Sequence, residues 1–272
     1  MNSLIQSLVS CTPVVDYFLN NEEMYRKQNN QVACQFINLI KAVKAENKRV
    51  NPAGVVAAVI RVTKQKYPNK RYGRGQEDSG ECLHLFLDAI DDEELYQYFM
   101  HRYLVKTWCL DCVAVLSEKK DESCVINVYK LSGFMASSDS ETLDKLNLHI
   151  KQNMSVLEDY KCNKCEGKRC CRIYQLVKSP TVLTIMFNKF IKKSVIPFSQ
   201  TLEFPSATGG ELNYKLVSQI EHIGNARGGH YISISLRNFD RRIVSFLGND
   251  MAVKPMQMRP TGNSYILFYC KS

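Results

Sequence analysis

The sequence predicts an α+β fold, and three observations predict it. Apolar residues recur at helical spacing through the N-terminal third. From about Val105 onward, short runs rich in β-branched and aromatic residues take over, bounded by Gly, Pro, Ser or Asn. Helix and strand patterns do not alternate along the chain, as a parallel α/β sheet would require.

Taken in order, Leu4, Ile5, Leu8 and Val9 fall on one face of a helix that starts almost at Met1, and Thr12-Pro13 breaks it. Val32, Phe36, Ile37, Ile40 and Val43 repeat the pattern in a helix over Gln31–Ala45. Lys64–Gly75, basic and polar with Pro68, Asn69, Gly73 and Gly75, reads as a loop. Glu77–Tyr98 reads as one long amphipathic helix whose acidic face holds Asp88, Asp91, Asp92, Glu93 and Glu94. Strands are expected at Val125–Tyr129, Arg172–Val177, Thr181–Phe190, Leu212–His222, Tyr231–Leu236 and Ser264–Cys270. No internal repeat or linker interrupts them, so a single domain over residues 1–272 is expected, mainly helical over 1–100.

The 272 residues are 45% hydrophobic and 23% charged, which supplies a sizeable core and excludes a disordered or fibrous chain. The net charge of +9 reads as spread along the chain, favouring solubility without establishing nucleic-acid binding. No apolar run approaches the roughly 20 residues of a membrane span, and Met1–Leu19 lacks the basic start of a secretory signal. Eleven cysteines in such a chain suggest a reducing setting, cytoplasmic or nuclear, with thiols used for metal or chemistry rather than disulfides.

Cys109-Leu110-Asp111-Cys112 and Cys162-Asn163-Lys164-Cys165 are two C-x-x-C knuckles. Two thiolates at that spacing chelate one Zn²⁺ from a tight turn, and two turns complete a tetrahedral four-sulfur site. The 49 residues between them place the pairs on two separate hairpins. A closed four-sulfur site has no open coordination position and is structural. The alternatives are four buried unligated thiols or a redox pair, but neither pair opens a helix after a strand in a thioredoxin-like unit. Cys170 and Cys171 follow closely and are read as core residues.

Of five histidines, His230 stands out in Gly228-Gly229-His230-Tyr231, where the glycines permit close backbone approach and a strand follows at once. A histidine at such a mouth suits a general base. Gly248-Asn249-Asp250-Met251-Ala252-Val253 and Ser264–Tyr269 come next, and together these segments resemble the His box of the ubiquitin-specific protease family, papain-like cysteine deubiquitinases. Met1–Leu8 looks like that family's Cys box just past its nucleophile, and Gln76–Leu83 like its Gln-x-Asp-x-x-Glu helix start. Tyr160–Cys165, Pro180–Ile185, Leu202–Pro205 and Tyr214–Val217 continue the likeness in order, so it covers essentially the whole chain.

The resemblance implies a papain-like fold with a thumb over 1–100 and interleaved fingers and palm beyond, the fingers bearing the zinc. It makes His230 the general base and Asn249 the residue that orients its ring, with Asp250 a secondary candidate. It places Gln76, Asp78, Glu81, Gly228, Gly229 and Tyr231 toward the ubiquitin tail; for Asp78 and Glu81 the other reading is helix N-terminal acids favoured by the dipole. Ubiquitin or ubiquitinated proteins are the implied partners, and isopeptide cleavage after the ubiquitin C-terminal Gly the implied reaction.

In the family's Cys box the nucleophile stands two residues ahead of the Met-Asn-Ser with which this sequence opens. The catalytic Cys is therefore expected to be missing from these 272 residues. Cys11 lies at the wrong end of the first helix and Cys82 on the Gln-x-Asp helix, so neither replaces it. A truncated enzyme and a natural ubiquitin-binding pseudoenzyme both account for this, and in either case the polypeptide as written is expected not to hydrolyse ubiquitin conjugates. A basic zinc-ribbon nucleic-acid binder is the remaining alternative, and it leaves Gly228–Tyr231 and Asn249-Asp250 unexplained.

Overall fold

Seven of the eight described helices precede residue 100, and all twelve described strands follow it. The computed structural model describes residues 1–46, 50–69, 78–128, 138–187, 194–205, 211–225, 228–239, 242–249 and 252–272. The helices are α1 (Asn2–Leu8), α2 (Thr12–Asn20), α3 (Glu22–Lys27), α4 (Gln31–Glu46), α5 (Ala53–Lys66), α6 (Ser79–Ile90) and α7 (Glu93–Phe99), with α8 (Asp139–Lys151) among the strands. None of them is long and apolar enough to cross a membrane.

Local chemistry explains where the helices depart from expectation. Pro13 does more than end α1: it sits in the first turn of α2, where its missing N–H is not needed. Lys64–Lys66 are the last turn of α5 rather than loop, and positions 70–75 of the expected loop lie outside the described residues. The single helix expected over Glu77–Tyr98 is two. Asp91 turns left-handed (φ 58°) to close α6, and Asp92 caps α7 by accepting from the Leu95 N–H at 3.0 Å. Asp92 also accepts from the hydroxyls of Tyr17 and Tyr25, so part of the supposed acidic face is internal wiring.

A four-stranded antiparallel sheet has the order β2-β1-β5-β4, from β1 (His101–Cys109), β2 (Ala114–Ser123), β4 (Gln152–Leu157) and β5 (Cys170–Lys178). An eight-stranded sheet has its main path ordered β11-β10-β9-β8-β12-β6-β3. Its strands are β3 (Ile126–Val128), β6 (Val182–Phe187), β8 (Glu211–Asn225), β9 (Gly228–Phe239), β10 (Arg242–Asn249), β11 (Ala252–Pro255) and β12 (Ser264–Lys271), with β7 (Thr201–Pro205) paired to β8.

Both faces of the large sheet are covered. On β12, Ile266, Phe268 and Cys270 join the core beneath the helices, while Leu267 and Tyr269 join a second core that includes Leu146 and Ile150 of α8. Strand alternation thus sends successive apolar residues into different cores, which is why Ser264–Cys270 is buried throughout. The helical core centres on rings: Phe36 lies 4.8 Å from Phe18 and 5.2 Å from Phe86.

Candidate functional site

His230 and Asn249 stand near the matched ends of β9 and β10. The register pairs Gly248 with Ser233, which puts Asn249 at the rim of the hairpin, diagonal to His230. The ring Nε2 of His230 lies 2.6 Å from Asn249 Oδ1. An amide oxygen only accepts, so the ring donates to it through Nε2, and Nδ1 is the nitrogen that Asn249 does not engage. Asp250 and Gln76 lie outside the described residues.

The two glycines ahead of His230 are not equivalent. A Cβ on Gly229 would overlap the His222 ring at Nε2 and stand 2.7 Å from the Ile223 carbonyl, whereas a Cβ on Gly228 would meet nothing within 4 Å. The backbone that comes close is the protein's own: Gly229 pairs with Gly224 of β8, whose φ of 152° belongs to glycine.

Asp78, placed by resemblance near a substrate tail, has both carboxylate oxygens engaged within the protein. Oδ1 caps α6, accepting from the N–H groups of Gly80 (2.8 Å) and Glu81 (3.0 Å). Oδ2 accepts from the hydroxyls of Tyr231 (3.2 Å) and Tyr265. Burial, then the charge of Asp78, holds the Tyr231 phenol well above the usual tyrosine range. The Tyr231 ring lies 4.6 Å from His222 at a tilt of 31°, and His222 is itself 6.0 Å from Tyr265. Glu81 is exposed in the first turn of α6.

Sequence reasoning missed His222, Tyr265 and Arg237. The first is a lone histidine in an apolar strand, the second one aromatic in an apolar run, and neither type announces a role. Arg237, on β9 with His230, donates to the carbonyl and side-chain oxygens of Gln6 at 2.9 and 3.0 Å and to Ser10 Oγ, binding α1 to that strand. Burial lowers its guanidinium to about 10. The Ser218 hydroxyl adds a second tie, 2.8 Å from Ser7 Oγ.

The two cysteines considered as stand-in nucleophiles are both fully buried. Cys11 precedes α2, donates to the Ser7 carbonyl at 3.6 Å, and has its thiol pushed well above the ordinary range by a hydrogen bond with Cys270, then by burial. Cys82 is enclosed within α6.

The knuckles lie on two hairpins, β1–β2 and β4–β5. Their four sulfur atoms are within 4.8 Å of one another. Cys109 Sγ is 3.6 Å from Cys165 Sγ, and Cys112 Sγ is 3.8 Å from Cys162 Sγ. Zinc–sulfur bonds near 2.3 Å require sulfur–sulfur edges of about 3.8 Å, so the donor set fits tetrahedral zinc. Each knuckle turns alike: Val113 (φ 55°) and Glu166 (φ 60°), directly after the second cysteine of each pair, are both left-handed. The Lys164 N–H points at Cys162 Sγ from 3.3 Å, and the Cys112 backbone bond leads in holding the Cys109 thiol down to about 6. Cys170, opposite Cys109 in the ladder, is buried and raised to about 11 by that burial; Cys171 is buried too.

Known proteins and solved structures resemble this chain along most of its length. Residues 1–269 match the family model described as UCH, ubiquitin carboxyl-terminal hydrolase. Human ubiquitin carboxyl-terminal hydrolase 2 is 23% identical over 333 residues, covering 99% of this chain and 53% of that protein. Ubiquitin carboxyl-terminal hydrolase 36 of Drosophila grimshawi is 24% identical over 286 residues, covering 89% of this chain and 21% of that protein. The chain thus spans about half the length of the human relative and about a fifth of the fly one. Among solved structures, the SAGA Ubp8/Sgf11/Sus1/Sgf73 DUB module bound to ubiquitin aldehyde has a TM-score of 0.73 at 16% identity, covering 100% of this chain and 67% of that one. The module bound to monoubiquitin has a TM-score of 0.72 at 17% identity, covering 100% and 66%.

Proposed function

The chain belongs to the ubiquitin carboxyl-terminal hydrolase family, and on that premise we propose that it recognises ubiquitin and holds the base half of a thiol isopeptidase centre. The observation that carries the proposal is the 2.6 Å contact of His230 Nε2 with Asn249 Oδ1. With Nε2 occupied, Nδ1 takes the proton of a thiol. The thiolate attacks the carbonyl carbon of the ubiquitin C-terminal Gly, the carbon–nitrogen bond to the lysine amine breaks, and His230 returns the proton to that amine. Water, deprotonated by the same nitrogen, then releases ubiquitin from the thioester.

Asp78, His222, Tyr231 and Tyr265 keep the heads of α6, β9 and β12 in register beside that base. Cys109, Cys112, Cys162 and Cys165 would hold zinc, which when bound supplies a cross-link between two hairpins and no chemistry at His230. Eleven free thiols suit a reducing cytoplasmic or nuclear setting.

The burial of Cys11 and Cys82 favours a second reading for the 272-residue polypeptide itself, that of a ubiquitin-binding protein without hydrolysis. Titration with ubiquitin in a calorimeter, alongside a ubiquitin probe with a C-terminal electrophile, tests both. Saturable binding without covalent labelling is expected. Absence of binding would overturn ubiquitin recognition, and rapid labelling would overturn the non-hydrolytic reading.

A further inference from the structure

The net charge of +9, taken from the sequence as distributed, is concentrated. Residues 41–74 hold ten Lys and Arg against one acid, Glu46, an excess equal to that of the whole chain. The described part of this stretch includes all of α5, which with α3 and the first turns of α4 encloses a cleft of about 570 Å³. Arg26, Gln31, Gln35, Gly54, Ala57 and Arg61 are among its walls, and no carboxylate or aromatic ring lines it among the described residues. None of these residues belongs to the His230 site.

The cations of α3, α4 and α5, of which Arg26 and Arg61 line the cleft, differ in how far they are already satisfied. Arg26 pairs with Glu22 at 2.8 Å, and Lys41 takes the other Glu22 oxygen at 2.6 Å. Lys66 pairs with Asp88 and Asp91. Arg61 is exposed and has a 3.1 Å bond to the neutral Gln31 amide, with no ion pair among the described residues. Lys64, one turn farther along the same flank of α5, is exposed and likewise has none.

We propose that this cleft is a docking site for an acidic peptide segment of a partner protein, rich in Asp and Glu or phosphorylated, and made of none of the residues around His230. The Arg61 guanidinium offers paired N–H donors to a carboxylate or phosphate, and Lys64 supplies a second charge beside it. The Gln31 and Gln35 amides both donate and accept, which matches a peptide backbone. Gly54 and Ala57 add small residues to the wall, with Gln35 Oε1 lying over Gly54, 2.9 Å from where a Cβ would stand. The volume suits a few residues. A nucleic acid would instead call for a long row of phosphate contacts or rings for its bases to stack on.

The test uses a fluorescein-labelled octaglutamate peptide, followed by anisotropy against the full chain. Saturable binding that weakens with salt is expected, with a loss of about tenfold when Arg61→Gln and Lys64→Gln are combined, while ubiquitin binding stays unchanged. Cys34 is half-buried in the cleft wall, so bound peptide should slow its alkylation by iodoacetamide, read by mass spectrometry on the unmutated protein. No saturable binding, equal affinity in the double variant, or an unprotected Cys34 would overturn the proposal. So would an oligothymidylate that binds through the same two residues more tightly than the peptide.

Discussion

Tyr231, the neighbour of His230, donates its hydroxyl to Oδ2 of Asp78 across 3.2 Å, joining β9 to the head of α6. The other oxygen of Asp78 caps that helix, so one carboxylate anchors the helical half of the protein to the sheet.

Asp78→Ala should therefore cost about 2–3 kcal/mol, adding a lost N-cap to two stranded tyrosine hydroxyls, and Tyr231→Phe about 1 kcal/mol. Urea unfolding measures both. Equal losses for the two variants would contradict the shared-anchor account.

The glycines before His230 predict an asymmetry. Gly229→Ala must displace His222 or the β8 backbone and should destabilise by about 1–3 kcal/mol, while Gly228→Ala, facing open space, should stay within about 0.5 kcal/mol. Thermal melts of the two variants distinguish them directly.

At the knuckles, Val113 and Glu166 hold left-handed conformations that L-residues resist. Val113→Gly and Glu166→Gly should each stabilise by about 0.5–1 kcal/mol, the relieved strain exceeding the added freedom of the unfolded chain. Metal analysis should find one zinc per chain. Chelation should expose the amides of β1, β2, β4 and β5 to hydrogen exchange before those of the eight-stranded sheet.

His101 is buried beside Tyr103, and burial alone depresses its imidazole to about 4. The unfolded chain takes up that proton near pH 6.5 and the folded one only near 4. The stability due to neutral His101 is thus complete above 6.5 and falls by about 3 kcal/mol as pH drops through 4. His101→Leu should flatten the stability profile between those values, as denaturant titrations across that window would report.

If Asn249 fixes the ring, nitrogen-15 spectra should show neutral His230 almost entirely as the Nε2–H tautomer, and Asn249→Ala should restore a mixture. An unchanged tautomer ratio would remove Asn249 from that role.

How much of this was legible depended on whether a residue type announces its job. C-x-x-C spacing marked the four-cysteine cluster because two thiolates in a tight turn have few other uses, and Gly228–Tyr231 together with the Asn249 segment marked the His230–Asn249 pair. The α6–α7 break was hidden because its left-handed residue is Asp91 rather than Gly. β2 escaped notice because Glu118–Glu122 is a charged run on a strand exposed on both faces, without the alternation that reveals a half-buried one. α5 was passed over because Val55, Val56, Val59 and Ile60 are β-branched residues that only tertiary packing commits to a helix. The pairing of Asp78 with Tyr231, 153 positions apart in the chain, depends on sheet register, which no local pattern encodes.

β12, the last of the twelve described strands in chain order, lies between β8 and β6 inside the large sheet. During translation β8–β10 and β6 must wait as two unjoined blocks with open edges, since the strand that seals them has yet to leave the ribosome. Closure of this sheet accordingly waits until β12 emerges, and until then the facing edges of β8 and β6 stay unpaired.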